Sequence, residues 1–192
     1  MCGRYTGYVD DCDELKTIYT AARSAYPETE FAAGEIFPTN TVPLLTSVGG
    51  ELRPFAATWG FPGFKGKQLI INARAESAVF KPTFAESFRR RRCIVPTTGY
   101  FEWAHTDDKT KYHIRSAGRD ILYLGGLWCR YEDGVRFVIL TTAANTSVAH
   151  VHHRMPLVLS EDMLIRWSSD AEFAARYAMS AMPAMVCSQI SG

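Results

Sequence analysis

The chain has no run of about 18 apolar residues, so a membrane-spanning helix is not expected, and its N-terminus lacks the apolar core of a secretory signal. It has almost no net charge. Because 21 Lys and Arg face 20 Asp and Glu, affinity for a polyanion has to come from local placement of cations, such as the run Arg89 to Arg92. The five cysteines (Cys2, Cys12, Cys93, Cys129, Cys187) are odd in number and show no CxxC spacing, which argues against a disulfide framework or a zinc knuckle. Repeats and linkers are missing as well. With 192 residues, 47% of them hydrophobic, the expectation is one domain over residues 1–192, cytoplasmic, with reduced thiols and a monomeric state.

What is present is a series of short apolar segments. Leu15, Ile18, Tyr19 and Ala22, preceded by Asp10 and Asp11, form a helical stripe that predicts an early amphipathic helix. Glu51 to Phe61 reads as a strand ending near Trp59-Gly60, and Gln68 to Asn72 as a run too short for a helix. Thr83-Phe84-Ala85-Glu86 has capping-box spacing, so a short helix is expected to start there and run into the arginines. Cys93 to Val95, Gly99 to Trp103, Lys111 to Arg115 and Ile121 to Arg130 read as strands, and Glu132-Asp133-Gly134 as a hairpin turn into Val135 to Thr142. Met155 to Leu159 is one more strand, and Ser160 and Asp170 are expected to cap two closing helices. Strands outnumber helices and come in consecutive runs, which predicts an α+β fold: a curved, mainly antiparallel sheet or barrel-like core with flanking helices.

Cys2 is the most informative residue. A small side chain after Met1 lets an aminopeptidase expose the cysteine as a new N-terminus, a 1,2-aminothiol. Its α-amine has a reference pKa of about 7.7 to 8.0 and its thiol about 8.5, so free amine and thiolate coexist near neutral pH. The amine attacks an aldehyde, and the adjacent sulfur then closes the imine into a five-membered thiazolidine, a ring that neither a lone lysine nor an internal cysteine forms. In Met1-Cys2-Gly3-Arg4-Tyr5, Gly3 lets the backbone approach a ligand and Arg4 sets a fixed cation beside the nucleophile. Asn72 offers donors and an acceptor at a strand end, and Glu102 sits among bulky apolar neighbours, where burial disfavours the charged carboxylate and suits it to acid and base work. The alternatives are a turn-forming asparagine and a salt-bridged surface glutamate.

Four blocks, Met1-Cys2-Gly3-Arg4-Tyr5, Asn72-Ala73-Arg74-Ala75-Glu76, Gly99-Tyr100-Phe101-Glu102-Trp103 and His152-His153-Arg154-Met155-Pro156, follow in order. Together they resemble the SRAP family, with His153 standing where members often have Asp. The resemblance implies an enzyme that captures abasic sites in single-stranded DNA through Cys2, with β-elimination, reversal of the link through Glu102, and peptidase-type self-removal of the preceding residue as further activities. It implies catalytic roles for Cys2, Asn72, Glu102 and His152, an imidazole with a reference pKa of about 6.5 that moves protons between hemiaminal and imine. Arg4, Arg74 and Arg154 are the phosphate candidates, Trp59 and Trp103 the stacking faces, and Gly3, Pro38, Asn40 and Thr142 the remaining DNA contacts. No cofactor is implied. The cluster of His150, His152 and His153 has no HExxH pattern or acidic partner, so no metal is expected either.

Two readings from other classes stay open at this point. One is a cysteine-type hydrolase with Cys2 as nucleophile and His152 as base, which would tolerate acetylation of the α-amine. The other is a non-enzymatic single-strand or modified-base binding module, which would be indifferent to Cys2→Ala.

Overall fold

The computed structural model describes residues 3–63, 68–104 and 109–190. In chain order the elements are β1 (Arg4–Gly7), α1 (Asp13–Ala25), β2 (Gly34–Ile36), β3 (Thr41–Val48), β4 (Glu51–Trp59), β5 (Phe61–Pro62), β6 (Leu69–Ile70) and β7 (Asn72–Arg74). They continue with α2 (Ala75–Ala78), α3 (Pro82–Arg90), β8 (Arg92–Thr97), β9 (Gly99–Trp103), β10 (Lys111–Ser116), β11 (Leu122–Tyr131) and β12 (Gly134–Ala143). β13 (Arg154–Pro156), β14 (Val158–Leu159), α4 (Leu164–Ser169), α5 (Ala171–Tyr177) and β15 (Met185–Ile190) complete the chain.

The stripe read from the sequence does bury Leu15, Tyr19 and Ala22 on α1, but the cap is Cys12, whose Sγ accepts the Leu15 N–H at 3.4 Å. Asp10 and Asp11 lie in the 3-10 turn before it. α3 starts at Pro82, a residue with no N–H to satisfy, and the Thr83–Glu86 capping box does not form. Glu86 pairs instead with Arg89 and Arg90 one turn on. The basic run is therefore divided. Arg92 is buried and donates to the carbonyls of Phe88 and Arg89 at the end of α3 and of Trp167 and Ser168 at the end of α4, closing two helix C-termini with one guanidinium.

The core is a closed barrel of five strands in the order β12–β4–β3–β8–β11, with β11 returning to β12. All neighbours are antiparallel except β12 and β4, which close the barrel in parallel where Arg136 and Phe137 face Thr58 and Trp59. The Glu132-Asp133 turn joins β11 to β12 as the sequence predicts, with Tyr131 opposite Gly134. β3 was not legible as a strand because Pro43, which has no ladder donor, lies in its middle; β3 meets β8 at Leu45 and Ile94, beyond the proline.

A second sheet, ordered β15–β10–β9–β1–β2, packs on the barrel through Tyr5 and Trp59. The chain crosses between the two layers at the β8–β9 corner, where Thr97 Oγ1 and the Thr98 N–H both donate to the Thr6 carbonyl, at 2.6 and 2.9 Å. Gly99 begins β9 at φ 157°, with its α-carbon against His113 and the Ile114 carbonyl; a Cβ there would stand 2.6 Å from His113 Nε2. That close approach is the reason the Gly-aromatic-aromatic-Glu-Trp block opens with glycine.

Candidate active site

Strand alternation sorts the residues of the second sheet onto two faces. The register sets Tyr5 opposite Tyr100, Tyr100 opposite Ile114, and Glu102 opposite Tyr112. This is the inner face: Tyr5, Tyr100, Glu102 and Ile114 are all buried, Glu102 with 5% exposure. The outer face carries Arg4 opposite Phe101, Phe101 opposite His113, and Trp103 opposite Lys111. Glu102 and Trp103 are thus neighbours in sequence on opposite sides of one sheet.

The inner face meets the barrel along a seam. The Tyr5 ring lies 5.1 Å from Trp59, whose Nε1–H donates to the Ile71 carbonyl at 2.9 Å. The Ile139 N–H adds a second bond to that carbonyl at 3.1 Å, so the residue before Asn72 is fixed from two strands, and Asn72 itself pairs with Ile139 on β12. Asn72 Oδ1 and Glu102 Oε2 are both shielded from solvent. Further along the same face, Tyr112 packs edge-on against His150 at 5.9 Å, and His150 leads directly to His152. β1 runs antiparallel to β9 with Arg4 opposite Phe101, so one residue further on the half-buried Gly3 comes alongside Glu102. Cys2 lies outside the described residues, as does His105.

His152 is buried just ahead of β13, which begins at Arg154. Its Nδ1 lies 2.9 Å from the Arg154 N–H and 3.3 Å from the Arg154 carbonyl oxygen, so the following strand fixes the ring from both backbone groups. Its ring stacks on His153 at 4.3 Å. Among the described residues no group of three or more His, Cys, Asp or Glu is arranged to hold a metal ion.

Two expectations about DNA contacts are corrected. Trp59 has 0% exposure, wedged between Tyr5 and Phe137, so it is a core residue that fixes the Asn72 segment and offers no face for a base. Arg154 is also buried. Its Nη1 and Nη2 bind both Glu76 carboxylate oxygens at 2.6 and 2.9 Å, and Nη2 also donates to the Thr141 carbonyl at 2.6 Å, an internal clamp between β13, β12 and α2. Hydrogen bonding from Arg154 is the main reason the Glu76 carboxyl sits below its ordinary range.

The other predicted contacts stand nearer to solvent. Arg74 is exposed at the end of β7, and Thr142 is half-buried opposite Met155. Pro38 and Asn40 belong to a tight turn in which Asn40 Oδ1 accepts the Phe37 N–H at 2.9 Å and Thr39 takes φ 78°. The arginine of the first block, Arg4, lies on the outer face with its guanidinium carbon 4.3 Å from the Phe37 ring centre and 5.2 Å from that of Trp103. Three residues of this neighbourhood carried no role in the sequence reading. Glu76 was visible as the last residue of its own block, whereas Glu35 and Lys111 come beside Arg4 only through strand pairing.

Crystal structures share the architecture. A protein from Bordetella bronchiseptica superposes with a TM-score of 0.80 at 22% identity, covering 99% of this chain and 100% of that one. One from Bacteroides thetaiotaomicron does so at 0.76 and 24% identity, covering 99% and 92%. In sequence, the chain is 27% identical over 195 residues to the abasic site processing protein YoaM of Bacillus subtilis, covering 94% of this chain and 84% of YoaM. It is 28% identical over 175 residues to the abasic site processing protein YedK of Escherichia coli, covering 87% and 79%. The pattern of the SOS response associated peptidase family matches residues 1–191, so that all four blocks and both layers of the fold fall within one match, and the chain belongs to that family, SRAP.

Proposed function

We propose that this protein processes abasic sites in single-stranded DNA, attaching itself covalently through the Cys2 aminothiol once Met1 is removed and so shielding the lesion from strand breakage. The observation that supports this reading is the course of β1, which pairs antiparallel with β9 and so runs back from Arg4 toward the level of the buried Glu102. The relatives named as abasic site processing proteins point to the same lesion.

The chemistry follows from those groups. Glu102, as general acid, protonates the ring oxygen of the abasic deoxyribose while the C1′ hydroxyl loses its proton, giving the open aldehyde. The Cys2 amine adds to that carbonyl carbon and passes a proton to the new alkoxide; His152, as imidazolium, then protonates the hydroxyl so that water leaves, and loss of the last nitrogen proton gives the imine. The Cys2 thiolate then adds to the imine carbon, the nitrogen takes up a proton, and the thiazolidine closes. Asn72 hydrogen-bonds the amine and the sugar oxygen, holding them in reach. Running the steps backwards through Glu102 releases the DNA, and loss of a C2′ proton at the imine stage gives strand incision by β-elimination. The same N-terminal machinery removes the residue before Cys2. Arg74 on one side and Arg4 with Trp103 on the outer face hold the strand, and the protein works as a cytoplasmic monomer without a cofactor, joining the nucleoid when bound to DNA.

The test is a single strand with one abasic site, run on a denaturing gel. Wild-type protein yields an adduct that survives denaturation; Cys2→Ala and α-amine acetylation each abolish it while leaving salt-sensitive binding in place. An adduct that persists with the amine blocked overturns the proposal.

A further inference from the structure

On the outer face, β2 sets Glu35 opposite Thr6, one side-chain row from Arg4. Its two carboxylate oxygens are divided between two cations: Oε2 accepts from Arg4 Nη1 at 3.1 Å and Oε1 from Lys111 Nζ at 3.0 Å. Both cations also lie over aromatic rings, Arg4 over Phe37 and Trp103, and Lys111 Nζ 3.8 Å from the Phe101 ring centre. The patch is open: the side chains of Arg4, Glu35 and Lys111 are 30, 32 and 25% exposed, and Phe37 is 41% exposed. Two cations over aromatic faces are what a single-strand platform consists of. A carboxylate bound to both is what such a platform does not need.

We propose that Glu35 sets the DNA affinity of this face by standing in for a backbone phosphate, so that a strand gains Arg4 and Lys111 only by displacing its carboxylate. This rests on the reading of the protein as a single-strand binder. Like a phosphate, the carboxylate offers two anionic oxygens at hydrogen-bonding distance from an arginine and a lysine, so the strand exchanges one anion for another and gains little from intact backbone alone. Undamaged strands are then held loosely, and retention depends on the covalent step at the lesion. Burial opposes ionisation of Glu35, but the hydrogen bonds and charges of Lys111 and Arg4 outweigh it and hold its carboxyl below the ordinary range, so the stand-in is charged at neutral pH.

The experiment compares wild type with Glu35→Gln, which keeps the shape and removes the charge, in binding an intact single-stranded oligonucleotide across a salt series. Relief of two partly exposed pairs gives an expected gain of about two- to thirtyfold in affinity at low salt. The slope of log affinity against log salt should steepen by about 0.7 for each further phosphate neutralised. In a Glu35→Gln/Lys111→Gln double variant most of the gain disappears. Equal or weaker binding by Glu35→Gln, with unchanged thermal melting, makes Glu35 a brace for the two cations and overturns the inference. A wild type that binds no single strand at any salt instead sinks the parent reading, so the two failures are distinguishable.

Discussion

At the scale of single residues, the informative distinction is which side of a strand each group occupies. Glu102 points inward and is buried, while Trp103 and Arg4 point outward beside Lys111. Under the proposed function, chemistry and strand-holding are thereby divided between two faces. Glu102→Gln keeps the shape of the buried side chain and removes its proton traffic, so adduct formation or release is expected to slow by about 10²-fold or more, read from single-turnover time courses. His152→Ala should act similarly, and unchanged rates in both directions remove the residue from the mechanism. The Glu76–Arg154 clamp makes a separate prediction about pH. Glu76 has a depressed carboxyl in the folded state, so its stabilisation is present above the ordinary carboxylate range and is lost as pH falls through the depressed value. Wild type should therefore melt above Glu76→Gln at pH 7, with the gap closing in acid; a constant gap contradicts the assignment. Asn72, Glu102 and His152 could be named as candidates from the sequence because each sits in a contiguous block. The fates of Trp59 and Arg154 were not, since a tryptophan or arginine beside a motif reads the same whether it is buried or presented.

At the scale of elements, local patterns announced the strands and helices that stand on local signals. β9 matches its expected range, the β11–β12 hairpin follows its turn residues, and Asp170 caps α5 through a bond from the Phe173 N–H at 2.9 Å. What stayed hidden was decided by pairing. β2 is three residues long, β3 contains a proline, and β15 forms at the C-terminal edge against β10. The barrel closure between β4 and β12 ends at Trp59, and the bond from its indole to Ile71 ties this closure to the Asn72 strand. Trp59→Phe removes that bond with little change in shape. It should cost about 1–3 kcal/mol in chemical denaturation, from a smaller ring and a carbonyl left with the Ile139 N–H alone, and slow capture as well. Lost stability with full capture activity would uncouple the core from the site.

At the scale of the whole molecule, a nearly neutral chain holds its cations in particular places: Arg92 inside, Arg154 in a clamp, Arg74 exposed, and Arg4 and Lys111 on Glu35. Counting charges in the sequence conveys none of this, because two arginines with the same neighbours in sequence are separated by the fold into a helix-end brace and a surface cation. The two layers meet where Tyr5 of the five-stranded sheet packs on Trp59 of the barrel. Intact mass spectrometry of the protein, alone and after mixing with a single strand bearing one abasic site, tests the central claim most directly. The account predicts a chain lighter by Met1 that then gains the mass of the oligonucleotide less one water. A chain that retains Met1, or that gains no mass in the presence of the lesion, contradicts it.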